Sequence, residues 1–103
     1  MRVIAKRVLR DFWESVPQYR DAKGPLEAWH NECVKGKWRT PQELRAQFRT
    51  ASVLKNYRVV FNIAGNKYRV VVSVDYLRQA MFVKFGGTHA QYDEIDAETY
   101  DAY

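Results

Sequence analysis

The chain has one cysteine, two histidines and no long apolar run, so it has little with which to build a disulfide, a metal centre or a membrane span. Its one cysteine, Cys33, excludes an internal disulfide and fits a reducing compartment. None of its apolar stretches approaches the roughly 20 residues that a membrane-spanning helix needs. Charged residues from Arg2 onward interrupt the N-terminal stretch, so no secretory signal is predicted. With 103 residues, 47% of them hydrophobic, the chain is predicted to form one domain, residues 1–103, that acts in the cytoplasm.

Metal and cofactor motifs are also missing. His30 and Cys33 lie three residues apart, but they supply only two of the four ligands that a structural zinc site usually has. The sequence GNK lacks the rest of a phosphate-binding P-loop. Neither a Gly-x-Ser-x-Gly elbow nor a paired-carboxylate arrangement is present. We therefore predict no metal and no cofactor, with Cys33 in the core.

Positive charge is plentiful and unevenly distributed. The chain has 17 Lys and Arg against 12 Asp and Glu, a formal charge of +5. Five of those acids lie in residues 93–103, which contain no Lys or Arg, so residues 1–92 carry +10. A body this basic suits a polyanion such as nucleic acid. The alternative is a domain that is merely basic.

Three helices are predicted in the first half of the chain from apolar residues at helical spacing. They cover about residues 5–16, 25–35 and 41–48. Thr40 is the expected N-cap of the third helix, with Glu43 as its capping-box partner. Trp13 and Trp29 are predicted to pack in the core. Trp38 lies between cations and could stack on a nucleobase or close the core, and the core position is favoured.

A β-hairpin is predicted over residues 57–75, with a two-residue turn at Gly65 and Asn66. That turn fixes the register, because the numbers of two paired residues must then sum to 131. Polar residues oppose polar ones and apolar residues oppose apolar ones in the pairs Arg58–Ser73, Asn62–Arg69, Phe61–Val70 and Ile63–Tyr68. A third strand is expected at about residues 80–85, and residues 1–4 are a candidate for a short fourth one.

The predicted fold class is therefore α+β, with an antiparallel sheet of three to four strands packed on two to three N-terminal helices. The helices should cover the apolar sheet face, which carries Tyr57, Val59, Phe61, Ile63, Tyr68, Val70, Val72 and Val74. The other face carries Arg58, Asn62, Arg69, Ser73 and Lys84. Three cations on three strands favour an anion site, and the alternative is an ordinary solvated face dotted with Lys and Arg.

The stretch FGGTHAQYDEID follows the third strand. Gly86 and Gly87 are expected to end that strand and let the chain turn. Thr88 is expected to cap a short helix, with Gln91 as its capping-box partner.

His89 and Tyr92 would share one face of that helix. Histidine is the side chain whose unperturbed pKa suits proton transfer near neutrality. RNA cleavage needs a base for the 2′-OH, cations for the phosphate charge and an acid for the leaving 5′-oxygen. His89 could serve as base or acid, and Arg58, Arg69 and Lys84 would form a phosphate clamp. Tyr92 could stack on a nucleobase or position a proton. This set is sufficient for cleavage without a metal, but it is not specific to it.

Several segments resemble one family of proteins. The stretches VIAKRVLRDFWE, RVVFNIAGNKYRVVVSV and GTHAQYDEID, with the tract from Trp38 to Ser52, are similar to the HigB family of bacterial toxins in the RelE-like superfamily. The most specific matches are FNI-x-GNKYR and GTHA-x-YD-x-ID, and the resemblance covers nearly the whole chain. It implies helices packed on an antiparallel sheet. It also implies an mRNA interferase, an endoribonuclease that usually cuts messenger RNA on the ribosome.

The resemblance further implies a partner, a helix-turn-helix antitoxin of the HigA type that neutralises the toxin and represses their operon. DNA would then be contacted only through the antitoxin, and no membrane is involved. Arg58 matches the arginine that begins a sheet strand in the family, and His89 and Tyr92 fall in its C-terminal catalytic segment. The residues expected to contact RNA are Lys55, which matches the family's basic loop, and Arg49, Lys37 and Asn62.

Two features depart from the family pattern. Gly86 stands where an apolar residue is expected, and the acidic stretch from Asp93 onward either is solvated or folds against the basic body. Two other functions stay open. The same fold serves ParE-like toxins that inhibit gyrase without nuclease chemistry, for which His89 would be dispensable. A plain RNA-binding module is the other, and expressing it would rarely arrest growth.

Overall fold

The computed structural model describes residues 1–101, and it confirms the predicted α+β fold. The helices are α1 (Lys6–Ser15), α2 (Lys23–Lys35), α3 (Pro41–Gln47) and α4 (His89–Tyr92), with a 3-10 helix at Pro17–Ala22. The strands are β1 (Arg2–Ile4), β2 (Ser52–Val53), β3 (Arg58–Ile63), β4 (Tyr68–Asp75) and β5 (Ala80–Thr88). They form one sheet in the order β1-β5-β4-β3-β2, in which β1 runs parallel to β5 and the other pairs are antiparallel. The predicted three to four strands become five because Ser52–Val53 adds an edge strand where a loop was expected.

The central hairpin has the predicted register. Asn62 pairs with Arg69, and the other three predicted pairs are also present. The Lys67 N–H donates to the Ala64 carbonyl at 3.3 Å, which closes the turn around Gly65 and Asn66. Positive φ values fall on Ala64 (54°) and Gly65 (70°). A two-residue turn would place positive φ on its central residues Gly65 and Asn66, so the positive φ is shifted by one residue and includes one strained alanine.

Helices α1 and α2 cover one face of the sheet. Leu9, Phe12 and Trp13 of α1 are buried, and the apolar face of α2 buries Leu26, Trp29 and Cys33. Burial raises the pKa of the Cys33 thiol, which fits a core position. The prediction that all three tryptophans are core residues is confirmed, since each is 4% exposed. Within residues 1–101, no helix combines the length and the apolar character needed to cross a bilayer.

The start of α3 shows how a short helix is fixed in place. The Thr40 hydroxyl accepts a hydrogen bond from the Glu43 N–H at 3.2 Å, as predicted. The Glu43 carboxylate reaches the Arg39 N–H at 2.9 Å, one residue before the predicted partner. Trp38 precedes this cap, and its indole N–H donates to Gln47 Oε1 at 3.1 Å. This hydrogen bond ties the last residue of α3 to the segment that precedes the helix.

The sheet face under the helices contains the predicted apolar set with one exception. Val59, Phe61, Ile63, Tyr68, Val70, Val72 and Val74 are buried there. Tyr57 was predicted to join them, but it is 75% exposed. Asn56 and Tyr57 both have φ values of 60°, so the chain leaves the extended conformation before β3 begins. The alternation of strand side chains therefore does not extend back to Tyr57.

Strand β5 is longer and less regular than predicted. Gly86 and Gly87 do not end it, since they pair with Val70 and Arg69 and the strand continues to Thr88. The register shifts between Val71 and Val72, so Lys84 is an extra residue on the β5 side, which is a β-bulge. Val83 consequently faces the helices, while Phe85 faces the opposite side of the sheet.

The opposite side of the sheet, called the outer face below, is covered as well. It contains a second apolar cluster of Val60, Val71, Phe85 and Ala97, with Leu54, Tyr92 and Ile95 partly buried beside it. Residues 93–101, called the C-terminal segment below, supply Ile95 and Ala97 to this cluster. Of the two possibilities for the acidic stretch, the structure shows that it folds against the body. Only polar residues were predicted on the outer face, and the apolar cluster between them was not predicted.

Candidate functional site

Helix α4 places His89 where β5 meets the central hairpin. The Thr88 hydroxyl accepts from the Gln91 N–H at 3.1 Å, and Gln91 Oε1 accepts from the Thr88 N–H at 2.9 Å. This is the predicted capping box, complete in both directions. The His89 N–H donates to the Lys67 carbonyl at 3.2 Å, which ties α4 to the hairpin turn. His89 is therefore positioned from two sides by main-chain and capping contacts.

The imidazole of His89 is oriented by a carboxylate. Its Nδ1 lies 3.0 Å from Asp93 Oδ2, one helical turn further along the chain, and the His89 side chain is 43% exposed. In the neutral tautomer that this contact favours, Nδ1–H donates to Asp93 and Nε2 carries the free lone pair. Nε2 is then the nitrogen that can exchange a proton with a ligand. The sequence analysis did not single out Asp93, although the spacing of four residues between it and His89 was visible.

Tyr92 and Arg69 join His89 at this end of the outer face. The Arg69 guanidinium carbon lies 5.7 Å from the centre of the Tyr92 ring, a cation–π distance. Arg69 Nη1 also donates to the Asn66 carbonyl at 3.2 Å. The ring of Tyr92 lies 6.4 Å from that of Phe85, at a tilt of 56°. The bulge that turns Phe85 outward thus gives Tyr92 an apolar neighbour.

Arg58 and Lys84 face the same side but lie further from His89. Along β4, the partner of Arg58 is four residues from Arg69, a separation of about 13 Å at 3.3 Å per residue. Arg58 is only 8% exposed, and its Nη1 donates to the carbonyls of Tyr100 at 2.6 Å and Ala97 at 3.3 Å. The Lys84 ammonium lies 3.4 Å from Asp101 Oδ1. Two of the three predicted clamp cations are therefore in contact with the C-terminal segment.

The four predicted RNA-contacting residues are spread over the molecule. Asn62 pairs with Arg69, and its side chain donates to the Thr50 carbonyl at 3.2 Å. Arg49 is exposed directly before Thr50. Lys55 is exposed, and its N–H lies 3.4 Å from Glu98 Oε2.

Lys37 is the outlier of the four. It lines a cleft with Arg39, Tyr76, Leu77 and Gln79, at the turn between β4 and β5. That turn is at the end of the sheet opposite to α4. The structure therefore brings Asn62 to the His89 end and separates Lys37 from it.

The carboxylate of Asp21 lies outside the site and binds the β3–β4 hairpin, which supports α4. Asp21, in the 3-10 helix, accepts hydrogen bonds from the Lys67 ammonium and the Tyr68 hydroxyl. These two hydrogen bonds lower the pKa of Asp21. The hydrogen bond that the Lys67 ammonium donates to Asp21 raises the pKa of Lys67. Burial raises the pKa of Tyr68. Since Lys67 also accepts from the His89 N–H, Asp21 is connected to α4 through one residue.

Comparison with known proteins places the chain in a family. Residues 22–95 match the family model HigB_toxin, described as a RelE-like toxic component of a toxin–antitoxin system. The mRNA interferase toxin HigB of Escherichia coli is 34% identical over 99 residues, which are 94% of this chain and 92% of that protein. The mRNA interferase HigB of Shigella flexneri matches with the same values.

An mRNA interferase HigB from another Escherichia coli strain is 27% identical over 97 residues, 92% of this chain and 91% of the relative. Each of these matches covers at least 92% of the chain, so the site described above lies inside the shared region. The family match and these identities confirm the resemblance drawn from the residues. The chain belongs to the HigB toxin family, the RelE-like toxic components of toxin–antitoxin systems.

Proposed function

We propose that this chain is an endoribonuclease toxin, an mRNA interferase that cuts messenger RNA in the cytoplasm through one domain spanning residues 1–103. The relatives that are named mRNA interferases cover more than nine-tenths of the chain. The observation that carries the proposal is the arrangement at α4. There, His89 is held at Nδ1 by Asp93 beside a Tyr92 ring that stacks with Arg69.

The proposed reaction is attack of a ribose 2′-oxygen on the adjacent phosphorus. The 2′-OH loses its proton, the bond from phosphorus to the 5′-oxygen breaks, and that oxygen takes up a proton. The products are a 2′,3′-cyclic phosphate and a 5′-hydroxyl. His89 Nε2 either accepts the first proton or, when protonated, donates the second. Asp93 keeps the ring in the orientation that both steps require.

Arg69 and Tyr92 act on the substrate rather than on the proton. The Arg69 guanidinium stabilises the negative charge that grows on the phosphate oxygens in the transition state. Tyr92, which is partly buried beside the outer-face cluster, offers the accessible part of its ring to a neighbouring nucleobase, which would fix the register of the RNA. Asn62, beside Arg69, contacts the RNA backbone at the same end.

The remaining cations hold the RNA further from the scissile bond. Arg58 and Lys84 bind phosphate in the middle of the outer face, and Arg49 and Lys55 contribute exposed charge beside it. Lys37, at the far end of the sheet, reaches a longer RNA or the ribosome itself. Because charge of this kind carries no sequence information, the binding should weaken as salt rises.

We further propose that cleavage takes place on ribosome-bound messages and needs no metal ion, because the cationic side chains supply the positive charge at the phosphate. The cognate partner is a helix-turn-helix antitoxin of the HigA type, which contacts operator DNA while the toxin contacts only the antitoxin. The family description, a toxic component of a toxin–antitoxin system, supports an antitoxin partner.

The test is to induce the wild-type chain, His89→Ala and His30→Ala in bacteria and to map the 5′ ends of messenger RNA within minutes. His30, on α2, is the chain's other histidine and lies outside the site, so His30→Ala is the matched control. We expect cuts inside translated regions with the wild type and with His30→Ala, and none with His89→Ala. Folding of the three proteins is compared by circular dichroism.

Two results would count against the proposal. Growth arrest with intact messages would favour an inhibitor of the gyrase type. Cuts that persist with a folded His89→Ala protein would remove His89 from the chemistry. Metal independence is then tested with purified ribosomes, toxin and a messenger RNA that carries a phosphorothioate at the scissile phosphate. If no metal ion contacts the phosphate, replacing part of the Mg²⁺ by the more thiophilic Mn²⁺ should not restore cleavage.

A further inference from the structure

The C-terminal segment lays three oxygen atoms on the two central cations of the outer face. The carbonyls of Ala97 and Tyr100 accept from Arg58, and a carboxylate oxygen of Asp101 approaches Lys84. Three acceptors within five residues, aimed at two cations, resemble the oxygens that a phosphodiester would present. The outer face is thus already occupied by a ligand from its own chain.

The charge of Arg58 is incompletely neutralised in this arrangement. The residue is only 8% exposed, yet both hydrogen-bond acceptors of its guanidinium are neutral carbonyls. Within residues 1–101, no carboxylate lies within ion-pair distance of it. A buried cation is costly unless an opposite charge compensates it. A phosphate anion in place of the carbonyls would supply that charge, so exchange of the two ligands is favoured electrostatically.

The segment itself is held by few and mostly exposed contacts. It forms neither a strand nor an α-helix between Asp93 and Asp101. Tyr100 packs edge-on against Phe85 at 5.5 Å but remains 37% exposed. Glu98 adds two contacts at the surface, where its carbonyl accepts from Asn56 Nδ2 at 3.2 Å and its carboxylate lies 3.4 Å from the Lys55 N–H. Elements with so few buried contacts open at much lower free energy than the whole fold.

The charge of the segment also opposes RNA. The stretch from Asp93 to Asp101 contains five carboxylates and no basic residue. An RNA strand approaching the outer face would therefore be repelled by the segment and attracted by the cations beneath it. The arrangement favours one occupant or the other.

We infer that Arg58 and Lys84 form a phosphodiester-binding site that the C-terminal segment occupies in the free protein, so that RNA must displace residues 97–101 to reach it. This inference rests on the proposed function for the identity of the ligand. It assigns to Arg58 two successive partners, the segment in the free protein and the RNA backbone in the complex. The affinity for RNA is then reduced by the fraction of molecules in which the segment is in place.

The first experiment weakens the hold of the segment without touching the cations. The double variant Tyr100→Ala/Asp101→Asn removes the ring contact with Phe85 and the carboxylate on Lys84. Binding of a fluorescent 2′-O-methyl RNA oligonucleotide, which cannot be cleaved, is measured by anisotropy. We expect the Kd of the double variant to be lower than that of the wild type by about tenfold, because more molecules have the site open.

The matched control is Glu94→Gln, which removes one negative charge from the same segment. Glu94 is exposed and, unlike Asp101, has no cation within ion-pair distance in residues 1–101. A purely long-range effect of charge on RNA would make Glu94→Gln and Asp101→Asn equal. We expect Asp101→Asn alone to tighten binding more than Glu94→Gln does.

A second measurement uses the wild-type chain and its RNA complex. Hydrogen exchange of a peptide covering residues 93–101 should become faster when the RNA oligonucleotide binds, because the segment leaves Arg58. Slower exchange in the complex would show that RNA and the segment occupy the face together and would overturn the inference.

The outcomes separate this inference from the proposed function. If the double variant and the control bind RNA as the wild type does, while His89-dependent cleavage is intact, then the segment does not occupy the RNA site and only the present inference fails. If none of the proteins binds the oligonucleotide while His89-dependent cleavage is intact, Arg58 and Lys84 do not form a phosphodiester site and only the present inference fails. Loss of both binding and cleavage in the wild type would overturn both proposals.

Discussion

The two faces of the central sheet are covered by very different structures. On one face, α1 and α2 bury a core that includes Trp13, Trp29 and Phe61, with ring contacts such as the 5.2 Å approach of Trp29 to Phe61. On the other face, an irregular segment covers the smaller cluster around Val71 and is attached largely by hydrogen bonds. The comparison indicates that stability is concentrated on the helix side. The candidate chemistry lies on the side whose cover is easier to remove.

The sharpest test of that difference uses two neighbouring valines. Val70 and Val71 are both 0% exposed in β4, but Val70 faces the helices and Val71 faces the C-terminal segment. We expect Val70→Ala to lower the free energy of unfolding by about 2–3 kcal/mol, because packed helices relax little around a cavity. Val71→Ala should cost about 1–2 kcal/mol, since the segment can settle into the space. Urea denaturation of both variants measures this, and equal losses would show that both covers are equally rigid.

A medium effect is expected at the junction of β5 and α4. A Cβ atom on Gly87 would lie 2.6 Å from Phe85 Cζ and 2.7 Å from Gln91 Oε1, which is the acceptor in the capping box. Gly87→Ala should therefore destabilise the protein by about 1–3 kcal/mol and slow RNA cleavage through displacement of α4. Thermal unfolding and cleavage rates measure the two effects.

Gly24→Ala is the control for the glycine test, because a Cβ atom there meets nothing within 4 Å. It should leave both the unfolding temperature and the cleavage rate nearly unchanged. Normal cleavage by Gly87→Ala would show that the capping box does not position His89.

The smallest effect is expected at Asp21, and it depends on pH. Hydrogen bonds from Lys67 and Tyr68 lower the pKa of Asp21 from its usual 3.8, so its contribution to stability is complete above pH 3.8. That contribution is lost as pH falls through the lowered pKa. Asp21→Asn should be less stable than the wild type at neutral pH, and the difference should shrink below pH 3.8.

Chemical denaturation between pH 2.5 and 7 checks this expectation. Asp11→Asn is the control, because Asp11 is an exposed carboxyl outside the Asp21 cluster. A constant difference between Asp21→Asn and the wild type across this range would exclude the linkage.

The local elements of the fold were largely predictable, because each depends on residues that are close in the sequence. Strand alternation and a two-residue turn determine which residues pair in the hairpin, and this determined the pair Asn62–Arg69 correctly. The capping box at Thr88 depends on Gln91, only three residues further along the chain, and it was also predicted. Features of this kind need no knowledge of distant parts of the chain.

The outer face was predicted less well, because its arrangement depends on distant contacts. The burial of Arg58 comes from carbonyls 39 and 42 residues away. No property of the residues near Arg58 indicates that such acceptors will arrive. The prediction that Tyr57 is buried was also wrong, because its positive φ ends the strand alternation on which that prediction depended. The sequence pattern and the family resemblance together named the candidate site residues, but neither included the contact between His89 and Asp93.

The bulge at Lys84 determines the side of the sheet from which the chain leaves β5. If β5 were regular and Lys84 paired with Val71, every later side chain of the strand would exchange sides, and Phe85 would point into the helix core. The polypeptide would then enter α4 rotated by half a turn, and His89 would emerge over the helices instead of beside Arg69. The bulge thus determines on which side of the sheet each later side chain of β5 lies. Insertion of one residue between Phe85 and Thr88, with no second bulge to compensate it, would move the candidate chemistry to the wrong side of the protein, even if every side chain of the site were retained.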